Sequence, residues 1–303
     1  VFSMGPVGTI ILYSLDPDKM VGWNYDLKEG EKEYILEEYH DLPNLGGVSN
    51  ESVNMEEILK TAPDVLISMN TIDETLKFEM EEMQEQIDIP IVILDDDING
   101  FGEAYRILGK ILNEEERAEE LAGYCDEVLK EAEENKDKIE EAINIYYAQG
   151  PNGLQTEPAG SWHGEVIDIV GGENVAEVEV KGEKGKSEIS MEQLLSWNPD
   201  TIISWGDERG GYYSEILNDP AWQEIDAVKA GEVYEIPNRP FNWFDRPPSI
   251  NRILGVRWLG NLLYPDIFNY NMRDEVREFY HKFYHYELEE DEVDELLKDS
   301  TRD

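Results

Sequence analysis

One stretch of this chain is written twice. Residues 53–69, Val-Asn-Met-Glu-Glu-Ile-Leu-Lys-Thr-Ala-Pro-Asp-Val-Leu-Ile-Ser-Met, align without a gap on residues 189–205, Ile-Ser-Met-Glu-Gln-Leu-Leu-Ser-Trp-Asn-Pro-Asp-Thr-Ile-Ile-Ser-Trp. The copies share Met55/Met191, Glu56/Glu192, Leu59/Leu195, Pro63/Pro199, Asp64/Asp200, Ile67/Ile203 and Ser68/Ser204. Their separation far exceeds the roughly 20–50 residues of a solenoid unit, so the repeat predicts two similar lobes. In each copy a short amphipathic helix must stop before Pro-Asp, because the residue preceding proline is driven out of helical geometry. A buried strand follows, Val65–Ile67 or Thr201–Ile203. Ligands of open α/β sheets bind outside the carboxyl ends of the strands. The tips Met69-Asn70-Thr71 and Trp205-Gly206-Asp207 are therefore the first candidate ligand walls.

The alternation continues on both sides of the repeat. Val1–Met4, Met20–Trp23 and Pro90–Leu94 read as strands, Gly8–Leu15 and Glu79–Gln86 as helices, so residues 1–112 form an N-terminal α/β lobe. Phe101–Leu112 starts a helix expected to run on into the next segment. Residues 113–142 are rich in helix formers, lack proline and carry an apolar stripe of Leu121, Val128, Leu129, Ala132 and Ile139. Thirty such residues would span about 45 Å, enough to link two lobes. Residues 143–270 repeat the alternation as a C-terminal lobe: strand Ile143–Tyr147, helix Ser161–Val170, the second repeat copy, strand Val233–Ile236 and helix Ser249–Leu263. Residues 271–303 form an acidic helical tail, whose run Phe279, Tyr280, Phe283, Tyr284 and Tyr286 is expected to pack on the C-terminal lobe. The 303 residues, 40% hydrophobic, suffice for two cores of ordinary size.

Charge excludes several partners. The chain has 25 basic and 69 acidic residues, a net −44. Nucleic acid requires a basic face and is excluded, and adsorption to an anionic membrane is disfavoured. The acidic residues are spread among apolar runs, which fits a folded protein with an acidic surface in a saline medium that screens self-repulsion. No stretch has the roughly 18 apolar residues of a membrane span. Val1 reads as the middle of a strand, so a leader is expected to be missing. Cys125 is the single cysteine, which leaves no intramolecular disulfide.

Two segments hold the residue types a ligand would need. In Gln155-Thr-Glu-Pro-Ala-Gly-Ser-Trp-His-Gly-Glu165, Ser161 is a candidate N-cap. Trp162 and His163 would then sit in the first turn at the positive end of a helix dipole, with His163 a possible metal ligand. In Asn238-Arg-Pro-Phe-Asn-Trp-Phe-Asp-Arg-Pro-Pro-Ser249, Arg239 and Arg246 offer guanidinium forks for carboxylates or oxyanions, and Trp243 could pave a ligand floor. Tyr212, beyond the Trp205 tip, could form a flap. The candidate set is Asn70 on one wall and Trp162, His163, Trp205, Tyr212, Arg239, Trp243 and Arg246 on the other. Replacing Arg246 by alanine is expected to weaken binding without unfolding the chain.

Enzyme and cofactor motifs fail. Gly185-Lys186-Ser187 resembles the end of a phosphate-binding loop, but the first glycine of that motif would fall on Val180. No G-x-G-x-x-G, H-E-x-x-H or G-x-S-x-G is present. His281 and His285, four residues apart, have no third ligand at obvious spacing and read as tail-packing residues.

Four features together resemble a known family, the substrate-binding proteins of ABC importers for iron–siderophore, haem, cobalamin and related metal complexes. They are the duplicated helix–Pro-Asp–strand unit, the long linking helix, Gly171-Gly-Glu-Asn-Val175, and Arg246-Pro-Pro-Ser-Ile-Asn-Arg-Ile-Leu-Gly-Val-Arg-Trp-Leu259. The resemblance covers about residues 1–265, and Trp-Phe-Asp-Arg-Pro-Pro-Ser points to a subgroup whose ligands include metal complexes and, in one member, molybdate or tungstate. It implies two Rossmann-like lobes joined by one long helix, little closure on binding, and no enzymatic activity or cofactor. The implied function is an extracytoplasmic, lipid-anchored receptor that delivers a chelated, iron-siderophore-like metal to a permease and its ATPase. A molybdate or tungstate receptor is the alternative. A chelatase-like tetrapyrrole enzyme shares the architecture, but only His163 could serve it as a base, and a cluster enzyme would want more cysteines.

Overall fold

A computed structural model describes residues 1–47, 55–179 and 186–302. The N-terminal lobe is a parallel sheet in order β1-β2-β3, formed by Phe2–Ser3, Leu66–Met69 and Ile91–Leu94. Its helices are α1 (Pro6–Leu15), α2 (Glu29–Lys32), α3 (Met55–Lys60), α4 (Glu74–Ile87) and α5 (Phe101–Leu112). The long α6 (Glu115–Lys136) follows. The C-terminal lobe is a parallel sheet in order β6-β4-β8-β9, with β4 at Asn144–Ala148, β6 at Glu173–Asn174, β8 at Thr201–Ser204 and β9 at Val233–Glu235. A small antiparallel pair, β5 (Gln155–Thr156) with β7 (Ser187–Glu188), lies beside it. Its helices are α7 (Glu165–Ile169), α8 (Met191–Trp197), α9 (Tyr213–Ile216), α10 (Asp226–Ala230) and α11 (Asn251–Leu263), and the tail holds α12 (Met272–Phe279) and α13 (Glu290–Leu297).

The repeat is visible as α3–β2 and α8–β8, each strand running in the interior of its sheet; its first two residues, 53 and 54, lie outside the described residues. The second copy starts on a capping box, in which Ser190 Oγ accepts from the Gln193 N–H and the Gln193 side chain accepts from the Ser190 N–H. Asp200 holds the preceding strand in register by accepting from the Asn144 N–H at 3.0 Å.

Several expectations change. The helix from Phe101 does not run on: Asn113 turns left-handed at φ 61° and ends α5, since asparagine bears that conformation at low cost. α6 is accordingly 22 residues long, about 33 Å, shorter than the stretch 113–142. It packs on α5, then against α7 and α11 of the second lobe. Met20–Trp23 is not a strand; Trp23 makes one bridge to Asn44, and its indole N–H donates to the Tyr39 carbonyl at 2.8 Å.

The main core is also continuous, not two separate ones. Ile67 and Leu94 of the first sheet, Ile145 and Ile203 of the second, and Phe279, Phe283 and Tyr284 of the tail belong to one buried cluster. The tail does not sit on the C-terminal lobe alone. Tyr280 packs edge-on against Tyr34 and Tyr284 lies beside Tyr13, both of the first lobe, while Phe283 meets Tyr124 of α6. The chain then returns to the second lobe, where the Trp258 indole donates to the Ser300 carbonyl at 2.7 Å and the Glu235 N–H to the Asp299 carbonyl at 2.8 Å. Packing these rings against both lobes removes their large apolar surface from water. His281 is exposed and paired with Glu287, and His285 reaches the Tyr13 carbonyl at 3.2 Å.

Candidate functional site

Between the lobes lies an open cleft of about 1000 Å³. The first lobe contributes Pro6 and Val7 at the start of α1, Glu31 of the short α2, and Tyr25, Asp26, Lys28 and Asn44 from the segments around it. The amino end of α1 thus faces the cleft, where first-turn N–H groups without intrahelical acceptors carry partial positive charge. The second lobe contributes His163, Trp205, Arg209, Arg239 and Arg246 together with a run of prolines.

Trp205 organises the second wall. Its indole N–H donates to the Tyr147 hydroxyl at 2.6 Å, which fixes the ring at the tip of β8. The Lys186 ammonium lies 3.9 Å from the ring centroid and the Arg209 guanidinium 4.7 Å from it, both at cation–π range. Burial lowers the Lys186 pKa, and the neighbouring Arg246 lowers it further. Burial likewise lowers that of Arg209. Arg209 is anchored by donating to Asn238 Oδ1 at 2.7 Å and to the carbonyl of Arg246. Two like charges therefore gather at one ring, with Arg246 near Lys186, in a chain that is otherwise strongly acidic.

Arg246 is held from below. Its guanidinium pairs with Glu157 and, through Nε at 3.1 Å, with Asp245, and both carboxylates are fully buried. Burial raises the Glu157 pKa, with Arg246 opposing the shift. Asp245 also binds His163, Oδ1 to Nδ1 at 2.6 Å. The loop presenting these groups is pinned by Asn242 Oδ1, which accepts from the N–H groups of Phe244 and Asp245.

Of the residues singled out from sequence, His163, Trp205, Arg239 and Arg246 line the cleft. Arg239 is shared between Glu33 of the first lobe and Glu208 of the second, so it also ties the lobes together. The other four sit elsewhere. Asn70 is exposed and turns back to donate to Ser68 Oγ at 3.0 Å. Trp162 lies under the Arg252 guanidinium, and Arg252 itself is buried between Glu165 and the Asp96 carbonyl. Ser161 makes no capping bond, and a 3₁₀ turn over Trp162–Gly164 precedes α7. Tyr212 donates to Asp219 and packs beside Trp222, away from the cleft. Trp243 is completely buried, a core residue and not a floor.

Sequence reasoning passed over Lys186, Arg209, Glu157, Asp245 and the first-lobe wall. Arg209 was within reach, four residues past Trp205 on the same strand tip. Lys186 figured only as part of a failed phosphate loop, of which Gly185 lies outside the described residues. The buried carboxylates had no signal, being two among 69. Among the described residues no group of three or more His, Cys, Asp or Glu side chains is placed to hold a metal ion, and no helix is long and apolar enough to cross a membrane.

The architecture and cleft define a solute-binding protein, and comparison with known proteins agrees. Residues 8–240 match the model of a family described as periplasmic binding protein, and the chain belongs to that family. It is a family of transport receptors, not of enzymes, which sets aside the chelatase reading. An ABC transporter solute-binding protein from Sulfurospirillum deleyianum shares 31% identity, with 98% of this chain and 93% of that one covered at a TM-score of 0.89. The molybdate-binding protein MolA of Haemophilus influenzae is 26% identical over 77% of this chain and 70% of its own length. The Fe(3+)-citrate-binding protein YfmC of Bacillus subtilis is 23% identical over 60% of this chain and 56% of its own.

Proposed function

We propose that this protein is the extracytoplasmic solute receptor of an ABC importer, and that its cleft takes an anionic metal chelate and delivers it to a permease and its ATPase. The observation that carries the anionic class is the convergence of Lys186 and Arg209 on the Trp205 ring, with Arg246 near Lys186, in a chain of net charge −44. Arg246 already has Glu157 and Asp245 as partners, but Lys186 and Arg209 repel one another across the ring, and an anion offsets that cost. The size of the cleft suits a ligand of drug-like dimensions, for which sites of about 300–1000 Å³ are usual. The names of two relatives, one binding molybdate and one ferric citrate, fall within the same anionic class. A tetrapyrrole is a poorer fit, because the ring face of Trp205 is engaged by cations and Trp243 is buried. The acidic exterior suits a saline medium, and a lipid anchor would keep such a receptor near its permease.

A bare oxyanion is the second reading, favoured by the amino end of α1 opposite the same cations. Tryptophan fluorescence in molar salt tests both. Ferric citrate, a ferric siderophore, haem, molybdate and tungstate are titrated in turn, with saturable quenching of Trp205 by an anionic ferric chelate expected. A response to molybdate or tungstate alone moves the ligand to the oxyanions, and a response to none overturns the receptor reading.

A further inference from the structure

We infer that Tyr280 and Tyr284 of the tail are positioning residues for the cleft: from outside it they hold the loop 238–249, which builds much of the second wall, and brace that loop on the first lobe. Only the ligand readout of this inference rests on the receptor reading above. Both side chains are completely buried, and each touches both lobes. The Tyr280 ring meets Tyr34 of the first lobe edge-on, centroids 5.3 Å apart at 80°. Its hydroxyl donates to the Arg239 carbonyl, an acceptor shared with the Trp243 indole N–H at 3.4 Å. The Tyr284 ring lies 6.3 Å from Tyr13 of the first lobe and 6.2 Å from Phe241 of the loop. Its hydroxyl donates to Asn251 Oδ1 at the start of α11, and Asn251 Nδ2 donates in turn to the Phe241 carbonyl at 2.9 Å. Arg239 and Phe241 both line the cleft. Two carbonyls of the wall thus end, directly or through one amide, on hydroxyls of the tail. On its other side the same loop is gripped by Arg209, which donates to the carbonyls of Asp245 at 3.3 Å and of Arg246.

The aromatic run divides its labour. Phe279 and Phe283 stack with centroids 4.5 Å apart, and Phe283 packs on Tyr124 of α6, with no polar atom to offer the loop. Rings alone would cover the apolar surface at 280 and 284 equally well. A buried hydroxyl is costly unless it is bonded, so a phenol belongs where there is something for it to hold. Tyr280–Tyr284 form a single π turn, a rare form found mostly at functional sites. The first-lobe end of the brace is fixed as well, because the Tyr13 hydroxyl accepts from the Leu36 N–H at 3.0 Å, within the segment 25–44 that supplies the first wall. Both walls are therefore set against the same five residues of the tail. Loss of either hydroxyl leaves an acceptor behind the second wall short of a donor, and the loop gains freedom to shift.

Hydrogen exchange and ligand titration test this with Tyr280→Phe, Tyr284→Phe and the double variant. Phe283→Leu, which loses buried apolar contact but no bond to the loop, is the control, and every protein is compared at the same interval below its own melting temperature. The amides to follow are those of Trp243, Phe244 and Asp245, which bond within the loop region. In the double variant they are expected to exchange roughly tenfold faster than in the native protein, and in Phe283→Leu at the native rate. Affinity for the probes ferric citrate and molybdate, whichever the native protein binds, is expected to fall roughly threefold or more in the double variant, although neither tyrosine touches the cleft. Unchanged loop exchange, an equal rise in Phe283→Leu, or full affinity despite a loosened loop would overturn the inference and leave the receptor reading intact. If the double variant fails to fold, the two single variants decide by the same readouts. If the native protein binds neither probe, the receptor reading is what fails, and exchange still decides whether the tail holds the loop.

Discussion

Arg246→Ala bears most directly on how the cleft is built. From sequence the substitution was expected to spare the fold, and the structure argues otherwise. Glu157 and Asp245 are both fully buried. Without Arg246, Asp245 keeps its bond to His163, but Glu157 keeps nothing: Oε1 pairs only with Arg246, and Oε2 has no partner among the described residues. Removing one partner of a buried pair costs about 3–5 kcal/mol. The Arg246 side chain is 21% exposed, which places the effect near the lower end, about 3 kcal/mol, or a fall in melting temperature of about 6 °C or more. The pH dependence carries a definite sign. Burial already raises the Glu157 pKa above its ordinary value, and loss of Arg246 raises it further. A carboxyl whose folded pKa exceeds its unfolded one costs stability as pH rises through the folded value. Thermal and urea melts of the variant in molar salt should therefore fall well short of the native protein at pH 8 and approach it at pH 5. Glu157→Gln combined with Arg246→Ala should recover most of the loss at pH 8. A single variant as stable as the native protein at pH 8 would refute the argument.

Glu235 provides a second pH test. Its carboxyl is pushed up to about 7, first by burial and then by Asp299, Asp207 and Glu208, so its ionisation erodes stability between about pH 5 and 8. Glu235→Gln should melt with the native protein at pH 5 and above it at pH 8, and an unchanged pH profile would contradict this. In the tail, His281→Ala should be silent, whereas His285→Ala should cost about 1 kcal/mol through its bond to the Tyr13 carbonyl. Neither should alter ligand affinity by titration, and a large loss would bring the tail into the site.

The lobes were legible because the repeat carries its own punctuation: Pro63 and Pro199 stop a helix wherever they occur, and the apolar runs after them have few alternatives to a buried strand. The cleft was legible on its second wall, where Arg239 and Arg246 stand out in a chain poor in basic residues. Trp162, Tyr212 and Trp243 misled because aromatic residues near strand ends serve a core as readily as a ligand, and composition cannot distinguish the two. Asn70 misled for a different reason. The repeat suggested symmetric walls, yet the first lobe builds its side from Pro6, Val7 and residues 25–44, whose only helical pieces are three or four residues long, too short to show a period. The tail was placed on one lobe because aromatic content reveals that a segment packs, and not on what.

Gly255 separates the parts of the binding wall that can change from those that cannot. A methyl group there would stand 1.9 Å from the Trp243 carbonyl oxygen, so the backbone of α11 touches the loop that carries Asp245 and Arg246. Helix and loop are therefore constrained together, whereas cleft residues outside that contact, such as Tyr25 and Lys28, are free of it. An engineer retargeting this receptor would randomise those rim positions and leave the Trp243–Arg246 loop on its glycine.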